Sequence, residues 1–222
     1  MRINTLIRTK RKTLSLHITP QGNLVVKAPE RMPMSVIEAF VLKKESWIKS
    51  STQKVLASLE VNRNIIDCKD VLFCGQTYQA MYTSEVKKIT LTQTALLVPL
   101  KILPEALPLA IKKWYIKAAP EIIYNRVTYF AELMQVRVNS VRLTNASARW
   151  GSCDSKSDVR LNWRLVMLPP SLIDYIVVHE LAHLIELNHS PNFWKIVESI
   201  IPGYKQCVKD TKKAGFLLQL FR

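Results

Sequence analysis

The stretch DYIVVHELAHLIELNHS, residues 174–190, decides how this chain folds and what it can do. Its apolar run Ile176-Val177-Val178 leads into His179-Glu180-Leu181-Ala182-His183, and His189 follows shortly after. Positions four apart share one face of a helix, so His179 and His183 can reach the same ion. Glu180 comes one residue after the first ligand, about 100° round the helix. There it can hold a metal-bound water without occupying the metal. Three neutral imidazoles with one position left open is the arrangement of a catalytic zinc, whereas a structural site is closed by a fourth protein ligand. The spacing therefore predicts one zinc ion per chain on His179, His183 and His189, with Glu180 as the catalytic carboxylate. Val177, Val178, Leu181 and Ala182 make the flanks apolar, and polar groups in such surroundings need a reason. Asn188 is expected as a left-handed exit from the helix. Ser190-Pro191 then supplies an N-cap and a first-turn proline for the next helix, and the turn between aims His189 back at the metal. The chain is not a metzincin: Glu186 stands where that signature has glycine, and no methionine follows His189.

Working outward, Pro169-Pro170 opens the metal-site helix, expected from Ser171 to about Leu187. Ser140–Thr144 and Asp158–Leu165 read as strands joined through RWGSCDSKS. Upstream, Leu109 to Val136 has helical spacing, with Ile111, Trp114, Ala118, Ile122, Tyr129 and Leu133 as its stripe, and Pro120 should kink or divide it. Residues 71–99 are β-like. Ser35 and Glu38 form a capping box for a helix whose stripe is Ile37, Phe40, Val41, Trp47 and Ile48, with Lys43, Lys44, Lys49 and Lys54 on a solvated face. Residues 13–28 alternate as a hairpin that turns at Pro20-Gln21-Gly22-Asn23. The best boundary is Pro99–Pro108. It divides a β-rich basic N-terminal part with one helix, 1–104, from an α-rich part that carries the metal site, 105–222.

At 222 residues, 48% hydrophobic and 22% charged, the chain is neither disordered nor fibrous. No apolar run nears the roughly 18 residues needed to span a bilayer, so no membrane partner is expected. The N-terminus has no apolar h-region or small-residue cleavage site, which points to the cytoplasm. Cys68, Cys74, Cys153 and Cys207 form no CxxC pair and read as reduced thiols. The formal charge is +15, and residues 1–29 hold Arg2, Arg8, Lys10, Arg11, Lys12 and Lys27 without an acid. Such a surplus suits a nucleic acid or nucleotide partner, and equally suits a merely solvated surface. The oligomeric state is not legible.

Together, RWGSC at 149–153, RLNWRL at 160–165, DYIVVHELAHL at 174–184, Asn188-His189-Ser190 and Phe193-Trp194 resemble the YgjP-like metallopeptidase family, which is related to the SprT-like and WLM zinc peptidases. KRKTLSLHITPQGNLVVKAP at 10–29 and Trp47-Ile48 are similar to it as well, so the resemblance spans nearly the whole chain. It implies an α+β fold with a zincin-like core, the active-site helix packed on a small antiparallel sheet. It also implies His179, His183 and His189 as zinc ligands and Glu180 as the catalytic glutamate. RWGSC reads as a tight strand-end turn in which Gly151 allows an unusual backbone and Trp150 packs. Arg149 either supports that turn or faces the metal cleft as a catalytic residue. Cys153 reads as a small buried residue.

Three functions compete. The first is a zinc-dependent peptidase with Glu180 as general base; Arg149, Arg164, Tyr175 or Tyr204 would stabilise the oxyanion, and a peptide or protein substrate would pair with strand 158–165. The second is a zinc-dependent nucleotide phosphoanhydride hydrolase, although the five scattered glycines form no phosphate cradle. The third is a DNA-associated module with a structural metal, which the open coordination position disfavours.

Overall fold

The computed structural model describes residues 3–19 and 21–221. Arg2 of the basic stretch and Pro20 of the expected turn lie outside them. The fold is mixed α+β, and the chain divides into two units, Met1–Ile66 and Asp67–Arg222.

In the first unit, β1 (Thr5–Thr9), β2 (Ser15–Ile18) and β3 (Leu24–Pro29) form a sheet ordered β1-β3-β2. β2 and β3 are the expected antiparallel hairpin, and Gly22 takes φ 82° in its turn. β1 runs parallel to β3, a pairing that local sequence does not announce. Leu24, Val26 and Ala28 bury one face of β3 against Ile37, Val41 and Ile48. Those three residues lie on α1 (Met34–Lys43) and α2 (Glu45–Val61), which α3 (Arg63–Ile66) follows. The single expected helix is thus several. Lys44 leaves the helical run at φ −103°, and Trp47 stays 47% exposed outside the stripe. The capping box does not form either. Pro33 occupies the cap position with ψ 145°, which puts Ser35 inside the first turn with no cap to make. The four expected lysines are exposed. Arg8 is not simply surplus charge, because its guanidinium donates to the carbonyls of Pro29, Glu30 and Met32 at 3.3, 2.9 and 2.7 Å. Arg11 donates to Ser15 Oγ at 2.9 Å.

The second unit begins with β4 (Asp70–Phe73), β5 (Gln76–Thr83), β6 (Thr90–Leu91) and β7 (Ala95–Pro99), in the order β4-β5-β7-β6. Val71, Leu96 and Val98 from this sheet belong to the same core as the metal-site helix. The division therefore falls ahead of residue 67 and not at Pro99–Pro108. α4 (Leu107–Leu133) runs through Pro120 as one helix. Its buried stripe is Leu107, Ile111, Tyr115, Ala119, Ile123, Val127 and Phe130, while Tyr129 and Leu133, expected inside, are half exposed.

β8 (Ser140–Thr144), β9 (Gly151–Cys153) and β10 (Asp158–Asn162) make a small sheet ordered β8-β10-β9. It is mixed, not antiparallel: β10 pairs parallel with β8 and antiparallel with β9. β10 is therefore the central strand, and both its edges are taken. α5 (Pro170–Ala182), α6 (Pro191–Ile200) and α7 (Tyr204–Lys213) complete the unit. Among the described residues, no helix is long and apolar enough to cross a membrane.

α5 is apolar nearly all round, with Leu172, Ile173, Ile176, Val177, Val178, Leu181 and Ala182 buried. Each larger side chain removed from water contributes about 1.5–3 kcal/mol, and that places the helix in the core. Asp174 anchors it to α4 through a paired contact with Arg126, at 2.6 and 2.9 Å. Its N-terminus, after Pro169, packs on the β4–β5 turn. That turn is two residues, Cys74 (φ 49°) and Gly75 (φ 78°), the left-handed pair that a type I′ hairpin requires. A Cβ on Gly75 would also lie 2.7 Å from Pro169 Cα. Gly75→Ala is expected to cost about 1–3 kcal/mol of stability through strain and this clash. Urea unfolding should show a lower midpoint, and an unchanged midpoint would show that the turn does not clamp the helix start.

Candidate metal centre

The ring nitrogens of His179, His183 and His189 lie within 4.8 Å of one another. His179 Nε2 and His189 Nε2 are 3.1 Å apart. Two nitrogens each about 2.0–2.1 Å from a tetrahedral zinc would stand about 3.4 Å apart, so the pair is close to the spacing that one ion imposes. His183 Nδ1 faces the carbonyl of Glu186 at 3.3 Å. This contact leaves Nε2 as the lone-pair nitrogen, the outer contact that a ligating imidazole typically makes. Burial, aided by the two neighbouring imidazoles, pushes His179 down to about 4, and burial likewise lowers His183. Both are then neutral at pH 7, as metal ligation requires. The donor set fits zinc.

Local structure brings the third histidine in. α5 ends at Ala182, shorter than expected, and His183 is its C-cap at φ −66°. Leu184 N bonds to Leu181 O, and Ile185 and Glu186 N bond to Ala182 O, which tightens the chain into a turn. Asn188 is not left-handed, so the exit is made by this turn and not by an αL residue. Ser190 caps α6 as expected, accepting from Phe193 N at 3.3 Å. Phe193 is fully buried, with ring centroids 4.6–5.0 Å from all three imidazoles. Trp194 stacks on His189 at 5.6 Å and on Tyr204 at 4.9 Å. His179 Nδ1 is buried without a partner. Aromatic walls, more than hydrogen bonds, orient this histidine and His189. The sequence quotes Phe193-Trp194 only as part of a motif; its i, i+3 and i+4 relation to Ser190 and His189 is the signal for that role.

Glu180 is 7% exposed. Burial raises its carboxyl to about 7, and the Arg149 guanidinium opposes the rise. Arg149 is exposed, and its positive charge acts on Glu180. Gly151 is not in an unusual conformation. It opens β9 with no left-handed φ, so the expected strand-end turn is a strand. Cys153 is half-buried, and burial with Glu180 beside it pushes the thiol up to about 11, which disfavours the thiolate. Cys74, Cys153 and Cys207 form no disulfide. Among the candidate oxyanion donors, Arg164 is fully buried with Leu220 O and Asn145 Oδ1 as acceptors. Tyr204 is buried in the aromatic stack. Tyr175 lies 5.9 Å from the His179 ring and stays a neutral phenol, pushed up to about 12 by burial.

Residues 12–214 match the family described as YgjP-like, metallopeptidase domain, and the chain belongs to that family. It is 32% identical over 104 residues to the UTP pyrophosphatase of Escherichia coli (strain K12), a match over 46% of this chain and 60% of that protein's length. Among solved structures it is similar to the metallopeptidase zymogen of Pyrococcus abyssi abylysin. The identity is 21% and the TM-score 0.39, over 41% of this chain and 93% of the other.

His183→Ala would remove one of the three candidate ligands and leave Phe193 and Trp194 in place. Elemental analysis should find the zinc largely gone from the purified variant, and full occupancy would refute the ligand assignment.

Proposed function

We propose that this chain is a zinc-dependent hydrolase of the metallopeptidase type, with a zincin-like core, His179, His183 and His189 as ligands and Glu180 as general base. The observation that carries it is the buried carboxylate of Glu180 on the same helix as two of three converging imidazoles. A zinc ion there supplies Lewis acidity and brings water's pKa down toward about 7. Glu180, poised near neutrality by burial, accepts the proton of the attacking water and passes it to the departing amine. The Arg149 charge opposes the rise that burial causes in Glu180, which makes it the candidate cation for developing negative charge. Tyr175 offers a neutral hydroxyl donor.

A peptide cannot add to β10, as the strand 158–165 expectation required, because β8 and β9 already flank it. β9 is one of the two edge strands of the small sheet, and Gly151 of β9 touches Glu180. An extended peptide laid along β9 would bring a carbonyl to the catalytic carboxylate. This edge favours a peptide or protein substrate. A nucleotide phosphoanhydride is the second reading, favoured by the Escherichia coli relative's name, by Arg149 and by the +15 charge. The exposed lysines of the first unit would serve nucleic acid if the surplus has a polyanionic partner.

Zinc-loaded protein should cleave a casein substrate. Glu180→Gln should keep its zinc and lose activity by on the order of 10²–10⁴-fold, since the amide cannot accept the proton. UTP turnover without peptide cleavage would select the second reading, and a duplex-DNA binding arm tests the basic surface. Near wild-type turnover in Glu180→Gln would refute the general-base assignment for either substrate.

A further inference from the structure

The RWGSC segment is the sequence motif that the metal site leaves unexplained. Three of its residues, Arg149, Gly151 and Cys153, interact with Glu180. Arg149 and Cys153 interact with its charge, and Gly151 lies in contact with its side chain. Gly151 and Cys153 are alternate residues of β9 and share a face, and that face forms the roof over the carboxylate. Trp150 belongs to the other face, where its indole Nε1 donates to Thr211 O at 3.4 Å.

Gly151 is where the roof and the carboxylate touch. A Cβ at that position would lie 2.6 Å from both Cγ and Oε1 of Glu180 and 2.8 Å from Cδ. Separations below about 3 Å are not tolerated between non-bonded heavy atoms, so one partner has to move. The backbone at 151 needs no glycine for its torsions. The glycine is there for room.

Neither partner can move freely. Asn162 fixes the strand from behind: its amide N donates to Trp150 O at 2.7 Å, and its Nδ2 donates to Ala146 O at 2.6 Å and Arg149 O at 3.2 Å. Asn162 is itself fully buried, and its Oδ1 accepts from Arg164 N at 3.1 Å. Gly151 is also paired with Leu161 on the central strand. Glu180 is 7% exposed on a core helix, so it has little open space to swing into.

We propose that Gly151 is a positioning residue: the missing side chain sets where the Glu180 carboxylate rests, and any Cβ at 151 displaces it from the reacting water while the three imidazoles stay in place. This rests on Glu180 as the general base, and it makes the RWGSC strand the element that adjusts that base.

The test is a double-mutant cycle of Gly151→Ala and Glu180→Ala on zinc-loaded protein, read by zinc content, by urea midpoint and by kinetics. Gly151→Ala should keep one zinc per chain and lose on the order of a hundredfold in kcat, as expected for a displaced catalytic group, with KM within about threefold. Gly151→Ala should lower the urea midpoint when Glu180 is present and leave it nearly unchanged in the Glu180→Ala background, where the clash is gone. If Gly151→Ala fails to fold, the double variant should recover the fold. Equal midpoint shifts in both backgrounds, or failure of both variants to fold, would overturn the proposal. So would wild-type kcat in Gly151→Ala. The stability arm does not depend on catalysis. Coupling there together with an active Glu180→Gln would instead overturn the general-base reading, which keeps the two failures apart.

Discussion

The fold of the second unit turns on burying α5. A helix this apolar has to sit in the core, yet it carries two imidazoles and a carboxylate, groups that are costly to desolvate without partners. The surrounding elements resolve that conflict. α4 clamps its first half through Arg126–Asp174, β9 covers Glu180, and the aromatic residues of α6 enclose the histidines. Desolvation then tunes the chemistry: it holds His179 and His183 neutral for ligation and lifts the Glu180 carboxyl to about 7.

The most legible part of the sequence was the site itself. HELAH with His189 carries its geometry in local spacing, and the Ser190 cap with Pro191 marks the start of α6. Less legible was anything set by pairing at a distance. The parallel β1–β3 contact and the central place of β10 depend on strands far apart in sequence, and hydrophobic alternation does not choose neighbours. The Pro99–Pro108 boundary failed for the same reason, since Leu96 and Val98 look like any strand until their core partners are known. Gly151 was misread because sequence shows that a side chain is missing without showing whether torsion or space requires it.

The charge of the N-terminal unit is only partly surplus. Arg8 and Arg11 are tied to backbone carbonyls and hydroxyls, whereas Lys10, Lys12 and Lys27 remain exposed. A cation counted from composition can thus be a structural strut, and +15 by itself does not measure an anion-binding surface.

The central claim is a zinc held by three imidazoles with one position open to substrate. X-ray absorption at the zinc edge of the purified protein measures this directly. The account predicts three nitrogen scatterers at about 2.0–2.1 Å, a light-atom fourth neighbour and no sulfur. A sulfur shell near about 2.3 Å would place a cysteine in the open position and contradict the account.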